Sequence, residues 1–188
     1  FEGCYLLAAL TFDSSTDSML QSIGTSAFQN CSKLTGIYIP ANISFIDDSV
    51  FRNCISLQTV SFSEDSVMKS IGTQFITTAL HTLSLPSSIK SILPHAFTGL
   101  KSLTKVSFKN DSKLQTIGKS AFQDCTALPA FEIPSATTVL GSSAFESCTS
   151  LTSVSVSQDS QLQSIGTSAF QNCNLLITFD MPSATTTL

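Results

Sequence analysis

The sequence predicts a repeat solenoid, in which short strands from successive repeats stack side by side. Three observations support this fold class: phenylalanines recur 22 to 27 residues apart, apolar residues follow each one at fixed distances, and the neighbouring residues repeat almost verbatim. A period of roughly 20 to 50 residues is typical of solenoids, because one such unit cannot bury its own apolar residues. The recurring residues are Phe1, Phe28, Phe51, Phe75, Phe97, Phe122, Phe145 and Phe170.

Each repeat contains a short amphipathic strand. With the phenylalanine as position zero, the fifth repeat has Leu103 at plus six, Val106 at plus nine and Phe108 at plus eleven. The alternation at the end of this pattern indicates a strand with one buried face. The segment from Gly or Pro through Ala-Phe-x-x-Cys has the length for a single helical or 3₁₀ turn, not a full helix. Stacking of equivalent residues should therefore build the core.

The repeats alternate in the way the chain leaves the strand. Proline ends a strand sharply, because it fixes φ and has no N–H to donate. Asp and Ser turn the chain by bonding nearby backbone amides. Even repeats leave through Pro40, Pro86, Pro134 and Pro182, and odd repeats leave through a longer polar loop with Asp17, Asp65, Asp111 or Asp159. The repeating unit is therefore a tandem pair.

The repeat pattern L-x-x-φ-x-φ-P-x-x-φ-x-x-I-G-x-x-A-F-x-x-C, where φ is apolar, closely resembles the BspA-like, or Treponema-type, class of leucine-rich repeat over essentially the whole chain. The resemblance implies an α/β fold: a right-handed solenoid with a parallel β-sheet on its concave face and short turns or 3₁₀ or helical turns on its convex side. We expect a single domain over residues 1–188 with about eight rungs, an excerpt of a longer array. The resemblance also implies adhesion, because such proteins are commonly surface molecules that bind host matrix proteins, host cells or each other.

Composition and charge disfavour several other functions. Only 12% of the residues are charged, the net charge is −4, and no Lys/Arg cluster marks a nucleic-acid surface. The longest apolar run, Tyr5 to Leu10, is far too short to insert across a bilayer. His81 and His95 are interpreted as incidental exposed residues, because nothing marks an activated nucleophile beside them. We expect no enzyme activity and no cofactor.

The six cysteines all lie three residues after a repeat phenylalanine, where the fifth repeat has Leu100. This substitution indicates a buried apolar position, so we predict free thiols. A disulfide between adjacent rungs is the alternative, but parallel side chains suit stacking better than disulfide geometry. A zinc site is disfavoured because no C-x₂-C pair occurs. The aspartate column is interpreted as loop capping, since one column cannot supply the six to eight oxygens that calcium needs.

The outward side of the strands is the candidate binding surface. Residues on the sheet face of a solenoid form an extended surface for partners. The alternative is that these small hydroxylated residues simply solvate the sheet. We call the following ten residues the hydroxyl face: Tyr38, Thr59, Ser61, Thr82, Ser84, Lys105, Ser107, Glu132, Ser153 and Ser155.

Two functions follow, and both are non-enzymatic. The first is a protein-binding module of a cell-surface or secreted adhesin, which binds a host or matrix protein, or another copy, through the concave sheet. The alternative is a cytoplasmic or cytoskeletal scaffold packed on a filament or assembly. Three sequons, at Asn30, Asn42 and Asn110, are candidate glycosylation sites in a secreted protein, and Asn30 should be the least accessible because it precedes a buried cysteine.

Overall fold

The computed structural model describes residues 1–12, 19–72, 79–157, 159–179 and 181–187. Within these residues the regular structure consists of short strands arranged in two columns. The strands of the first column lie in the L-x-x-φ-x-φ motif. The strands of the second column lie shortly before the phenylalanine of each repeat. Eight strands of the first column alternate with seven of the second, so the chain makes about seven turns.

The strands are numbered in chain order. The first column contains β1 (Ala9–Leu10), β3 (Gly36–Ile39), β5 (Thr59–Phe62), β7 (Thr82–Leu85), β9 (Lys105–Phe108), β11 (Ala130–Ile133), β13 (Ser153–Val156) and β15 (Thr178–Phe179). The second column contains β2 (Ser22–Ile23), β4 (Phe45–Ile46), β6 (Ser70–Ile71), β8 (Ser91–Ile92), β10 (Thr116–Ile117), β12 (Val139–Leu140) and β14 (Ser164–Ile165).

All pairings between these strands are parallel. In the first column β1-β3-β5-β7-β9 form one sheet and β11-β13-β15 another. In the second column β6-β8-β10-β12-β14 form a five-stranded sheet and β2-β4 a short one. This confirms the predicted parallel-strand solenoid, in which each strand pairs with its equivalent one turn away.

The phenylalanine column forms the centre of the core. Phe28, Phe51, Phe97, Phe122 and Phe145 are all buried. Their rings stack on the equivalents one turn away: the centroids of Phe97 and Phe122, and those of Phe122 and Phe145, are 5.2 Å apart. Phe131 packs against Phe145 edge to face at 4.6 Å, which ties the strand to this column. Phe75 lies outside the described residues.

The turns around each phenylalanine differ from the predicted helical or 3₁₀ turns, because the described residues contain no helix of either kind. Around Phe122 the φ angles of Ser120 and Asp124 are 52° and 59°. Such left-handed residues interrupt any right-handed helix and suit the third position of successive tight turns. The backbone N–H of Phe122 donates to the oxygen of Ala144, 2.8 Å away on the next turn of the solenoid. These bonds between turns compete with a helix, which would direct the N–H groups along its own axis.

Glycine follows five of the seven second-column strands, and at four of these five glycines the backbone of the preceding turn lies close. A Cβ on Gly141 would lie 2.6 Å from the carbonyl carbon of Gly118, and one on Gly118 would lie 2.7 Å from the backbone nitrogen of Pro94. Real Cβ atoms do not approach backbone atoms so closely. By contrast, a Cβ on Gly24 would meet no atom within 4 Å. The glycine column therefore sets the spacing of the turns on this side.

The alternation of repeats interrupts the first-column ladder at every second step. From an even to an odd repeat, β3 pairs with β5, β7 with β9 and β11 with β13 over four residues each. From an odd to an even repeat, β1 pairs with β3 and β5 with β7 over only two residues, and β9 does not pair with β11. The even-to-odd step continues past the strand, where the Ser63 N–H donates to the Ile39 oxygen at 2.9 Å.

Proline explains the shorter pairing. At the position equivalent to Ser63, the even repeats have Pro40, Pro86 and Pro134, which have no N–H to donate to the preceding odd strand. Pro129 adds a second interruption at the start of β11, where the equivalent residue Thr152 donates to the turn before it at 2.8 Å. The sheet therefore opens most widely between β9 and β11.

Candidate interaction surface

The structure places all ten residues of the hydroxyl face on the outward side of the first-column strands. Eight of them are exposed, and Ser107 and Ser153 are half-buried. The register brings Tyr38 beside Ser61, and Ser84 beside Ser107. Tyr38 is 46% exposed, a large apolar surface for a residue within a strand. The ten residues therefore form a face, and their role in binding remains a prediction.

Other hydroxyl columns have a structural role. Threonines directly before the strands donate to the turn before them: Thr104 Oγ1 lies 3.0 Å from the His81 oxygen, and Thr152 Oγ1 lies 2.9 Å from the Pro129 oxygen. Thr137 is fully buried and donates to the Leu114 oxygen at 3.0 Å. Among the described residues of the hydroxyl face, only the Ser61 hydroxyl donates such a bond, at 3.5 Å to the Ile37 oxygen. Most of the face is therefore available to solvent or to a partner.

Two notches lie at the edge of this face, each where an odd strand meets an even one. The first, which we call the Ser84 notch, lies between the ends of β5 and β7; the second, the Glu132 notch, lies between the ends of β9 and β11. Each has a cavity volume of about 180 Å³. The Ser84 notch is lined by Ser61, Phe62, Ser63, Glu64, Ser84, Leu85, Pro86 and Lys109, and the Glu132 notch by Phe108, Lys109, Asn110, Ser112, Glu132, Pro134, Ser135 and Ser157.

These two notches could not be predicted from the sequence. The alternation predicts a buried residue at plus eleven, which is Leu85 in the fourth repeat because that repeat is one residue shorter. Phe62 and Phe108 are only half-buried, whereas Ile39, Leu85 and Ile133 are buried. The signal was present in the alternation, because the odd strands lack a full partner wherever proline follows the next strand. What could not be read from it was that the opening leaves a cavity.

The cysteine column is interior, as predicted. Five of the six cysteines are buried, Cys4 is half-buried, and all six are free thiols. Burial raises the pKa of Cys54 to about 11 and that of Cys125 to about 12. The thiols of Cys54 and Cys125 are therefore protonated at neutral pH, and a protonated thiol is a poor nucleophile.

The remaining predicted residues lie apart from one another. Of the three sequon asparagines, Asn110 is exposed, whereas Asn30 and Asn42 are half-buried. The Oδ1 of Asn30 also accepts a hydrogen bond from Asn53 Nδ2 at 2.9 Å. His81 and His95 are both exposed and lie on different turns.

Serines in the loops of the odd repeats cap the chain. Ser66 Oγ and Ser160 Oγ accept the N–H of the residue two positions later, each at 3.3 Å. Asp65, Asp111 and Asp159 are exposed, and Asp17 lies outside the described residues. In the described part of the chain no three His, Cys, Asp or Glu side chains come together as metal ligands. Nor do residues 1–12, 19–72, 79–157, 159–179 and 181–187 contain a helix long and apolar enough to cross a bilayer.

Comparison with known proteins gives the family of the chain. The model of the BspA type leucine-rich repeat region matches residues 1–77 and 69–188, with six copies. A solved leucine-rich repeat protein from Treponema pallidum is similar with a TM-score of 0.73 and 24% identity, over 87% of this chain and 75% of that one. A second, from Bacteroides ovatus, has a TM-score of 0.51 and 23% identity, over 89% of this chain and 57% of that one.

At these identities the two solved structures show the fold alone, and the chain spans little more than half the length of the second. No curated protein matches the chain. The leucine-rich repeat is a protein-interaction fold, and its members are typically non-catalytic binding modules. The match of the repeat model over both halves of the sequence shows that the chain belongs to the BspA-type leucine-rich repeat family.

Proposed function

We propose that the chain is a protein-binding module of an adhesin displayed at the cell surface or secreted, and that it binds a host or matrix protein, or another copy, through the hydroxyl face. The observation that carries the proposal is the exposure of this face along successive parallel strands, with Tyr38 as its one aromatic residue. Tyrosine is favoured as a binding anchor because it combines a large apolar area with a polar tip.

The chemistry of the face also favours a protein partner. It carries one lysine and one glutamate, Lys105 and Glu132, so it has no strong field of either sign. Its hydroxyls can donate and accept hydrogen bonds, which suits the mixed donors and acceptors of a protein surface. A strongly charged polymer would find little electrostatic attraction there.

Binding of the purified chain to immobilised fibronectin, laminin, collagen and fibrinogen, and to itself, tests the proposal by biolayer interferometry. The variant Thr59→Arg/Ser84→Arg places two bulky cations on the hydroxyl face. The control Thr167→Arg/Gln171→Arg places the same two cations on exposed residues of the turns around Phe170. We expect the first variant to weaken binding at least about tenfold, or 1.4 kcal/mol, and the control to change it less than twofold. Equal affinities for the two variants would refute the assignment of the face.

One observation favours the intracellular scaffold. Six free cysteines are more typical of a reducing compartment than of a secreted protein. Intact-mass analysis of the native protein separates the two functions. N-linked glycan on the exposed Asn110 would exclude the scaffold, and unmodified protein from a glycosylating host would weigh against secretion.

A further inference from the structure

The Glu132 notch lies where the first-column sheet is most open. β9 and β11 do not pair, although the turns on both sides of them are joined: the Phe97 N–H donates to the Ala121 oxygen at 2.8 Å, and β8 pairs with β10. The opening is thus confined to the strand side of this interface. Phe108 lines it, and its ring contacts Phe131 edge to face at 5.7 Å, which holds the aromatic wall in place.

The equivalent Ser84 notch differs in what crosses it. Lys109 Nζ lies 3.3 Å from Glu64 Oε1, so an ion pair spans that notch from one odd loop to the next. At the corresponding position the Glu132 notch has Ser157, and the residue corresponding to Glu64 is Asn110. A serine and an asparagine are too short to make the same bridge, so this notch stays open.

Two polar groups in the Glu132 notch lack partners. The Ser157 hydroxyl is buried, and no described residue forms a hydrogen bond with it. Glu132 is exposed, and within the described part of the chain no ion pair involves its carboxylate. A buried hydroxyl without a partner is a cost to the fold, so a ligand or ordered water that bonds it recovers free energy.

This combination of groups selects the chemistry of a ligand. Lys109 also lines this notch, but its ammonium group is paired with Glu64. The carboxylate of Glu132 repels anions, and a single carboxylate supplies too few oxygens to hold calcium. It accepts hydrogen bonds from hydroxyl groups, to which the Asn110 amide and Ser157 hydroxyl can also bond. The aromatic wall favours contact with an apolar C–H surface, since the ring face carries partial negative charge. The volume is below the range of about 300–1,000 Å³ usual for drug-sized ligands, so the ligand is small.

From this geometry we infer that the Glu132 notch binds one ring of a neutral sugar when Asn110 carries no glycan. The sugar hydroxyl groups bond to Glu132, Asn110 and Ser157, and the ring carbons lie against Phe108. A pyranose has the required combination of several hydroxyls and an apolar ring face in a volume of this size. The inference goes beyond the proposed protein-binding function, because the ligand is a sugar and Glu132 alone of the residues that line the notch belongs to the hydroxyl face.

Saturation-transfer NMR with glucose, galactose, mannose and N-acetylglucosamine tests this site in the intact chain. We expect at least one of the four sugars to receive saturation from the wild-type protein, with the ring C–H protons nearest the aromatic wall enhanced most. Glu132→Gln, which keeps the shape of the side chain but removes its charge, should raise the Kd at least about tenfold. The control Glu2→Gln makes the same change at an exposed residue of the first turn, away from this notch, and should leave the Kd within twofold.

Phe108→Leu provides a second test, because it removes the aromatic wall and keeps an apolar side chain. Phe108→Leu should also weaken sugar binding. An unchanged circular-dichroism spectrum would show that this variant folds. If the variant does not fold, Ser157→Ala takes its place in the test. Absence of saturation transfer to all four sugars overturns the inference, and so does equal binding by Glu132→Gln and Glu2→Gln. Neither outcome affects the proposed protein-binding function, whose variants lie at Thr59 and Ser84.

Discussion

The thiol of Cys148 donates a hydrogen bond to the carbonyl oxygen of Phe122 on the preceding turn, with the sulfur 3.1 Å from the oxygen. The same bond joins Cys54 to Phe28 at 3.0 Å and Cys173 to Phe145 at 3.0 Å. The cysteine column thus links the turns around the phenylalanine stack in addition to filling space. This explains why a weakly polar side chain occupies an interior position.

Thiol reactivity should divide the cysteines by burial. At pH 8 in the native protein we expect Ellman's reagent to label Cys4 first, since it alone is half-buried, while Cys54 and Cys125 do not react. Their raised pKa values leave almost no thiolate at this pH. The absorbance of released thionitrobenzoate measures the number of reactive thiols. In denaturant all six cysteines should react. Loss of the fast phase in Cys125→Ala, rather than in Cys4→Ala, would contradict the assignment.

The buried thiols should also lower stability at alkaline pH. Burial raises the pKa of Cys125 from 9.0 to about 12, so the unfolded thiol ionises first as the pH rises. At pH 7 this group leaves the free energy of unfolding unchanged. As the pH rises through 9 toward 12 the free energy of unfolding falls, by about 1.4 kcal/mol at pH 10. Urea unfolding at pH 7 and pH 10 measures this change. Cys125→Ala should show a smaller loss than the wild type; an equal loss would exclude this thiol as its source.

The glycine column offers a matched pair of substitutions. Gly141→Ala should destabilise the protein by about 1–3 kcal/mol, because the new Cβ meets backbone of the preceding turn. Gly24→Ala is the control, since the Cβ there meets open space, and it should be neutral or stabilising by up to about 1 kcal/mol. The midpoint of urea unfolding checks both. Similar midpoints for the two variants would show that the close approach at Gly141 is not a constraint.

The phenylalanine stack should dominate stability. Phe122→Ala removes a fully buried ring that stacks on two neighbours and should cost about 3–5 kcal/mol. Phe45→Ala, at a residue 42% exposed in β4, should cost much less. Equilibrium denaturation measures both values. A cost at Phe45 as large as that at Phe122 would place the core elsewhere.

The cause of the open ladder can be tested at Pro134. Pro134→Ser restores an N–H opposite the end of β9, and we expect it to form the bond that Ser63 forms with Ile39. Hydrogen exchange followed by NMR should show a protected amide at position 134. The Glu132 notch should also become smaller, so saturation-transfer NMR should show weaker sugar binding. Rapid exchange at that amide, with no change in binding, would show that proline does not hold the interface open.

The interior and exterior columns could be predicted from the sequence, because every turn of the solenoid repeats the same local pattern. The period that places Phe97, Phe122 and Phe145 in register also places Cys125 and Leu128 inside and Ser84 and Glu132 outside. The turns escaped the prediction for a local reason: residues such as Ser120 adopt positive φ without being glycine, and their N–H groups bond the next turn. Propensities within a single repeat cannot reveal this hydrogen-bond partner, because it lies on the next turn.

The sequence by itself determined the family, the parallel stacking and the interior columns, since each depends on apolar residues that recur at a fixed spacing. Only the tertiary structure decided where the ladder opens and what faces the opening. In the sequence, Pro134 and Pro129 look like ordinary loop residues. In the structure a neighbouring strand lies opposite them, and they have no N–H to donate to its carbonyl groups. Glu132, Ser157 and Phe108 come from three different turns, and only the packing of those turns brings them around one cavity.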